Sequence, residues 1–315
     1  MASILLGLAR HLGRRASRKK SSIALALVVI FFLIPLVLYF LLAYTLAGDP
    51  RLVPHAIRNA RNVLLITAHP DDECLFFSPS ILHAWGNPHV NRAILVLSSG
   101  NYDGLGEERK AEAKASCATL GIAPDRCVVL NHPDLQDNPK KWWDEDVVKD
   151  VLQKHVRMWN IDLIITFDQY GISGHVNHRS VSNGVRKYSI ENNHQPPAYA
   201  VQTKFLLRKY SSLADLIPTS FPFSLRILEA LFLPPPEGYY KAELSPAAGD
   251  NNNKPAGPPP PGGDRYGDKA LLVSNWAMYM KGRAAFRQHN TQYSWDRVLY
   301  LVMSRYMWFN DLRRM

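Results

Sequence analysis

An apolar run, Val63-Leu64-Leu65-Ile66-Thr67-Ala68, stops abruptly at His69-Pro70-Asp71-Asp72-Glu73. The run has the length and branching of a parallel strand buried on both faces. Such strands belong to α/β proteins, so this one junction already narrows the fold. In open α/β sheets ligands bind just beyond the carboxyl ends of the strands, where these polar side chains must stand. A second polar cluster, His175-Val176-Asn177-His178, follows another apolar run, Asp162–Phe167.

Strand and helix patterns alternate between and around these clusters. Strands are expected at Val63–Ala68, Ala93–Leu97, Cys127–Leu130, Asp162–Phe167 and Ala198–Leu206. Helices are expected at Asp72–Trp85, Gly106–Leu120, Asp144–Trp159 and His175–Ile190. Sequential crossovers of this kind predict an α/β fold, a Rossmann-like three-layer sandwich with a mostly parallel sheet. Residues 234–268 break the alternation with Pro234-Pro235-Pro236, Asn251-Asn252-Asn253 and Pro258–Pro261. A segment of that composition cannot build a core and reads as a surface insertion, with docking to a proline-binding module as the alternative.

Upstream, Ser21–Gly48 carries no charge, and the 25 residues Ile23–Ala47 are almost continuously apolar. At about 1.5 Å per residue they exceed the roughly 30 Å of a bilayer's hydrocarbon, so one tilted transmembrane helix fits. Signal peptides have apolar stretches of about 7–15 residues, shorter than this one. The expected organisation is a basic tail (1–20), an anchor (21–48), a stalk (49–60) and a domain (61–315) interrupted by the insertion 234–268. The net charge of +10 suggests nucleic acid, but six of those charges are Arg10, Arg14, Arg15, Arg18, Lys19 and Lys20. The remaining +4 shows no nucleic-acid signature, and the basic tail reads as a membrane flank. By the positive-inside rule that tail is cytosolic and the domain luminal. Against this, the chain has no Asn-x-Ser/Thr acceptor.

Cys74, Cys117 and Cys127 have no metal spacing, cannot all pair with one another, and read as core residues of a domain in a reducing compartment. Near the C-terminus Tyr293, Trp295, Tyr300, Tyr306, Trp308 and Phe309 are interleaved with Arg297, Arg305, Arg313 and Arg314. This pattern fits a bilayer headgroup belt or a core helix with a wet face.

A hydrolytic metal site needs imidazole or carboxylate ligands, an open position for water and a base. His69 and His178 supply nitrogen ligands and Asp72 an oxygen. Asp71, its neighbour in a tight turn after the strand, is left to act as base. His175, three residues before His178, is placed to polarise an amide carbonyl or protonate a leaving amine. Two histidines and a carboxylate also describe non-haem iron oxygenases. Asp71 and His175 have roles in hydrolysis and no evident role in oxygen chemistry, which favours Zn2+ or another divalent cation. Arg109 is a candidate substrate contact or a partner of Glu112 or Glu73. Asn101 and Asp103 contact substrate or shape a turn, and His289 is a further candidate substrate contact.

Ala68-His69-Pro70-Asp71-Asp72-Glu73 and Gly174-His175-Val176-Asn177-His178 together resemble the motifs of the LmbE-like zinc deacetylases. The likeness extends over about residues 61–233 and 269–315. It includes the Gly104-x-Gly106-x-x-Arg109-x-x-Glu112 stretch, His289-Asn290-Thr291-Gln292 and Ser304-Arg305-Tyr306-Met307. With the anchor, the chain is most similar to the membrane-anchored eukaryotic branch, the N-acetylglucosaminyl-phosphatidylinositol de-N-acetylases (PIG-L). The resemblance implies metal ligation by His69, Asp72 and His178, Asp71 as general base, and His175 stabilising the oxyanion and assisting the amine. It also implies a single-pass protein of the endoplasmic reticulum membrane, a cytosolic catalytic domain, and N-acetylglucosaminyl-phosphatidylinositol as substrate in the second step of GPI-anchor synthesis. Deacetylation of another amino sugar, or a non-catalytic scaffold on the same fold, are the rival readings. One departure stands out: bacterial relatives usually carry His-Pro-Asp-His where this chain has His-Val-Asn-His, so Asn177 cannot play a charged role.

Overall fold

Apolar stretches that tolerate water on neither face line up side by side. The computed structural model describes residues 22, 23, 25–235 and 264–315. β1 (Asn62–Thr67), β2 (Asn91–Val96), β3 (Cys127–Val129), β4 (Leu163–Phe167) and β5 (Ala198–Val201) are parallel. β1, β4 and β5 are buried at every residue, as central parallel strands require. The sheet has seven strands in the order β3-β2-β1-β4-β5-β7-β6. Chain order runs outward to β3 on one side of β1 and to β5 on the other, so the topological switch point lies between β1 and β4. Their register there is Val63↔Leu163 and Leu65↔Ile165.

The five expected strands are present, with Ala198–Leu206 shortened to β5. The other two, β6 (Lys269–Val273) and β7 (Phe309–Arg314), are antiparallel additions that the sequence pattern does not reveal. In β7, Phe309, Asn310 and Leu312 are buried, so a polar residue sits where an apolar one signals a strand. Asn310 is satisfied inside, accepting from Ser80 Oγ (2.6 Å) and donating to the Phe76 carbonyl (3.0 Å). Of the C-terminal aromatics, Tyr300, Tyr306, Trp308 and Phe309 belong to the core, while Tyr293 and Trp295 are exposed. Arg305 is buried among Asp215 (2.9 Å), Asp311 (2.8 Å) and Thr219 (3.2 Å).

Asp72–Trp85 is not one helix. α2 (Asp72–Leu75) ends, and a second short turn, Ser78–Ile81, restarts at Pro79, which cannot donate into a continuous helix. α3 (Gly106–Leu120), α4 (Glu145–Met158) and α5 (Val176–Glu191) follow the expected pattern closely. α3 packs against α6 (Trp276–Phe286), and α4 against α5. Cys117, near the end of α3, and Cys127, at the start of β3, are disulfide-bonded with Cα atoms 6.3 Å apart. The return of the chain after α3 juxtaposes them, so two of the three cysteines pair and only Cys74 is a buried thiol.

α1 (Leu25–Thr45) has 21 residues and a mean hydropathy of 3.1, long and apolar enough to cross a membrane. Its first part is exposed, and its Ile34–Phe40 segment packs on residues 212–220. The stretch expected to be a stalk is packed into the domain instead: Leu52, Val53 and Ile57 are buried, and the Leu52 carbonyl accepts from Leu271 of β6 (3.0 Å). The basic tail 1–20 and most of the 234–268 insertion lie outside the described residues.

Candidate active site

Where β1 ends the backbone reverses. Asp71 has φ 108°, a conformation costing a residue with a Cβ about 1–3 kcal/mol. It is held by the Asp71 amide donating to Glu73 Oε2 (3.0 Å). Glu73 is itself buried and accepts at Oε1 from Ser116 Oγ (2.7 Å) and from His289 Nε2 (2.6 Å). The reversal separates two adjacent carboxylates. Asp72 folds back under the strand end, its Oδ2 accepting from the amides of Ala68 (3.2 Å) and His69 (2.8 Å). Asp71 faces a cleft, with Arg109 Nη2 3.7 Å from its Oδ2.

After β4 the chain enters the same space from the other side of the switch point. His69 Nδ1 lies 3.1 Å from His178 Nε2, which is 3.2 Å from Asp72 Oδ1. Each ring is oriented from behind. His69 Nε2 is 3.1 Å from Asp137 Oδ1 and 3.3 Å from Asn177 Oδ1. His178 Nδ1 is 2.9 Å from the Gly171 carbonyl and 3.0 Å from Ser173 Oγ. The carboxylate and the carbonyl can only accept, so the outer nitrogens carry the protons and the inner ones present lone pairs. Two imidazole lone pairs and a carboxylate facing one another at this range could hold a cation between them. Gly171 is confined by this packing: at φ +65°, a Cβ there would meet His178 Cβ at 2.7 Å.

His175 caps the start of α5, its Nδ1 accepting from the Asn177 amide (3.2 Å). That leaves Nε2 as the protonated, donating nitrogen, with the ring centre 4.7 Å from that of His69. Asn177 uses its amide both ways, accepting from the Asn138 amide (3.1 Å) and donating to the Lys141 carbonyl (3.0 Å). An aspartate cannot donate in this way, which gives a physical reason for asparagine at this position; the charged partner of His69 is Asp137.

The electrostatics follow from burial and neighbours. Burial and repulsion from Asp72 push Asp71 up to about 6, against the pull of Arg109. Burial also opposes charge on Asp72, but His178 and His69 hold it well below the usual carboxylate range. Burial, then the proximity of the His69 and His178 imidazoles, which opposes a further positive charge, push His175 down to about 4.

His69, Asp71, Asp72, Arg109, His175 and His178 thus line one cleft of about 270 Å³. Asp137, Ser173, Gln292 and Arg297 line it too; the sequence does not single out Asp137 or Ser173 at all, and it presents Gln292 and Arg297 only within a shared motif and a basic-aromatic stretch. For Asp137 a signal existed: it is an acid in the loop after β3, at the same end of the sheet. Arg109 is held by the carbonyls of Pro70 (2.7 Å) and Gly100 (3.1 Å), while Glu112 instead takes the Thr291 amide (2.8 Å) and hydroxyl (2.7 Å). Asn101 and Asp103 are exposed in one short turn, where Asn101 Oδ1 accepts from the Gly106 amide (2.9 Å). His289 is fully buried against Glu73, away from the cleft. Glu73, Cys74 and His289 also bring three metal-type donors together, yet the Glu73 oxygens are already engaged with Ser116, His289 and the Asp71 amide.

Fold and site define a Rossmann-like α/β protein with a two-histidine, one-carboxylate centre at its switch point. The family described as GlcNAc-PI de-N-acetylase (PIG-L) matches residues 64–189. The N-acetylglucosaminyl-phosphatidylinositol de-N-acetylase of Bos taurus is 34% identical over 252 residues, 79% of this chain and 81% of that protein. Its Saccharomyces cerevisiae counterpart is 32% identical over 261 residues, 78% and 79% of the two chains. The chain belongs to the GlcNAc-PI de-N-acetylase (PIG-L) family. Among solved structures, N,N'-diacetylchitobiose deacetylase from Pyrococcus horikoshii superposes with a TM-score of 0.48 at 17% identity, covering 88% of this chain and 90% of that one.

Proposed function

We propose that this chain hydrolyses the acetamide of N-acetylglucosaminyl-phosphatidylinositol to acetate and glucosaminyl-phosphatidylinositol, the second step of GPI-anchor synthesis, using Zn2+ held by His69, Asp72 and His178. The convergence of those three side chains in one cleft with Asp71 and His175 carries the assignment. A divalent cation there supplies Lewis acidity, polarising the amide carbonyl and making water a stronger acid. Asp71, ionised near neutral pH, takes the proton of the attacking water. His175 Nε2–H donates to the carbonyl oxygen as negative charge develops, and the low pKa of this ring keeps it neutral beforehand. Asp71, once protonated, then returns that proton to the departing amine, while His175 Nε2–H stays hydrogen-bonded to the oxygen. Asp137 and the Gly171 carbonyl keep the ligand rings turned inward.

Two expected outcomes follow from these roles. Asp137→Asn should weaken metal affinity by about 10–100-fold, read by competition with a chelator; unchanged affinity contradicts the orienting role. Because Asp71 must be unprotonated, turnover should fall as pH drops through about 6 or lower when the cation is bound. Arg109→Gln, which removes a positive neighbour, should move that acid limb upward; a limb that stays put excludes Asp71 as the titrating group.

Acetate release from lipid-linked and from soluble N-acetylglucosamine derivatives tests the substrate. Preference for the lipid-linked compound supports this reading, and preference for a soluble amino sugar contradicts it. We further propose that residues 21–48 anchor the domain at the endoplasmic reticulum membrane with the catalytic face cytosolic. The basic tail and the Cys117–Cys127 bond favour the lumen instead, since disulfides are rare in the cytosol. Protease treatment of sealed microsomes decides: digestion of the domain supports the cytosolic placement, and full protection refutes it.

A further inference from the structure

α7 (Trp295–Met303) sets Arg297 between two cavities. One is the cleft that holds Asp71 and the histidines; the other, about 350 Å³, is lined by Tyr210, Asp296, Leu299, Tyr300 and Met303. Among the described residues the Arg297 guanidinium has no hydrogen bond or ion pair, and Asp296 beside it in sequence accepts from the Ser294 hydroxyl (2.5 Å). Lys209 stands at the same boundary. Its Nζ is 5.4 Å from the ring centre of Phe76, which lines the first cavity, and 5.7 Å from that of Tyr210, which lines the second. Lys209 is only 9% exposed, yet no carboxylate pairs with it among the described residues.

An unpaired, largely buried cation is costly, and a second one nearby adds repulsion. Burial and the charge of Arg297 together hold the Lys209 ammonium down to about 8. The Phe76 and Tyr210 rings offset part of that cost, and Asp71 lies within electrostatic reach of Arg297. No carboxylate pairs directly with either cation among the described residues, a role that an anionic ligand fills. Outward from the pair the surface becomes apolar, with Phe205, Leu206, Leu207, Leu299, Val302 and Met303 exposed. This surface adjoins residues 212–220, on which α1 packs, so it borders the element that enters the bilayer.

We propose that Lys209 and Arg297 form an anion subsite that takes the phosphodiester of an inositol phospholipid headgroup, with the acyl chains leaving over the adjoining apolar surface. The identity of the lipid rests on the substrate reading above. With the N-acetyl sugar at the metal ligands, the inositol bridges the boundary and its phosphate reaches the two cations.

The test uses the full-length, metal-loaded enzyme in detergent. Arg297→Gln and Lys209→Met, the latter keeping the aliphatic stem over Phe76, are compared with wild type on three substrates. These are the phospholipid, its water-soluble glycerophosphoinositol analogue, and N-acetylglucosaminyl-inositol without phosphate. We expect the KM rise to be at least tenfold larger on the two phosphodiesters than on the phosphate-free compound, with Arg297→Lys recovering part of it. Equal losses on all three, or none on the phospholipid, overturn the subsite. Direct binding of glycerophosphoinositol, inositol and inorganic phosphate is read separately by calorimetry. Discrimination for glycerophosphoinositol that both variants lose supports the subsite even if wild type turns over none of the substrates, an outcome that sinks the substrate reading alone. Inorganic phosphate binding as tightly as glycerophosphoinositol overturns the lipid assignment.

Discussion

Replacing Asp71 with asparagine is expected to lower kcat by about 10²–10⁴-fold, the usual contribution of a general base, while metal content stays unchanged. Asparagine preserves the shape of the side chain but cannot accept the proton that the attacking water must lose. The position is informative because its backbone is strained, with φ 108°. Asp71→Gly removes the same carboxylate and relieves the strain, so it should be as inactive yet more stable than Asp71→Asn by about 1 kcal/mol. Thermal unfolding of the two variants reads that difference. Turnover within tenfold of wild type in Asp71→Asn excludes this residue as the base. Loss of metal in that variant makes it a ligand instead.

Removing a ligand should cost more. His178→Gln is expected to lose stoichiometric metal and to lower kcat/KM by about 10³-fold or more, since Lewis-acid assistance is worth several kcal/mol and each 1.4 kcal/mol is tenfold. Glutamine fills much of the ring's volume, which matters because the His178 ring stacks on Phe167 with centres 4.3 Å apart. An unfolded variant is recognised by its circular dichroism and set aside in favour of His69→Gln, whose ring is not stacked in this way. Either variant keeping both metal and turnover removes that histidine from the ligand set.

Much of the centre is legible in the amino-acid sequence because strand ends are. The apolar runs at β1 and β4 terminate in polar motifs, and parallel packing brings those termini together at the switch point. Asp72 and Asp71 are separable in role even before the structure, because consecutive residues in a tight turn face different ways. Other features depend on distant contacts that no local pattern encodes. Asp137 reaches His69 from a loop between β3 and α4. His289 resembles a site residue by motif, yet it is buried on Glu73 and supports the turn that aims Asp71. β7 escapes notice because Asn310 is paid for by Ser80 and Phe76 from another element. Residues 49–60, polar enough to suggest a stalk, bury Leu52 and Val53 against the sheet edge.

Metal analysis of the purified full-length enzyme, with acetate release measured before chelation, after chelation and after Zn2+ is returned, bears most directly on the assignment of His69, Asp72 and His178. One ion per chain, activity abolished with its removal and restored with its return, is the expected result. Full turnover by metal-free protein contradicts it.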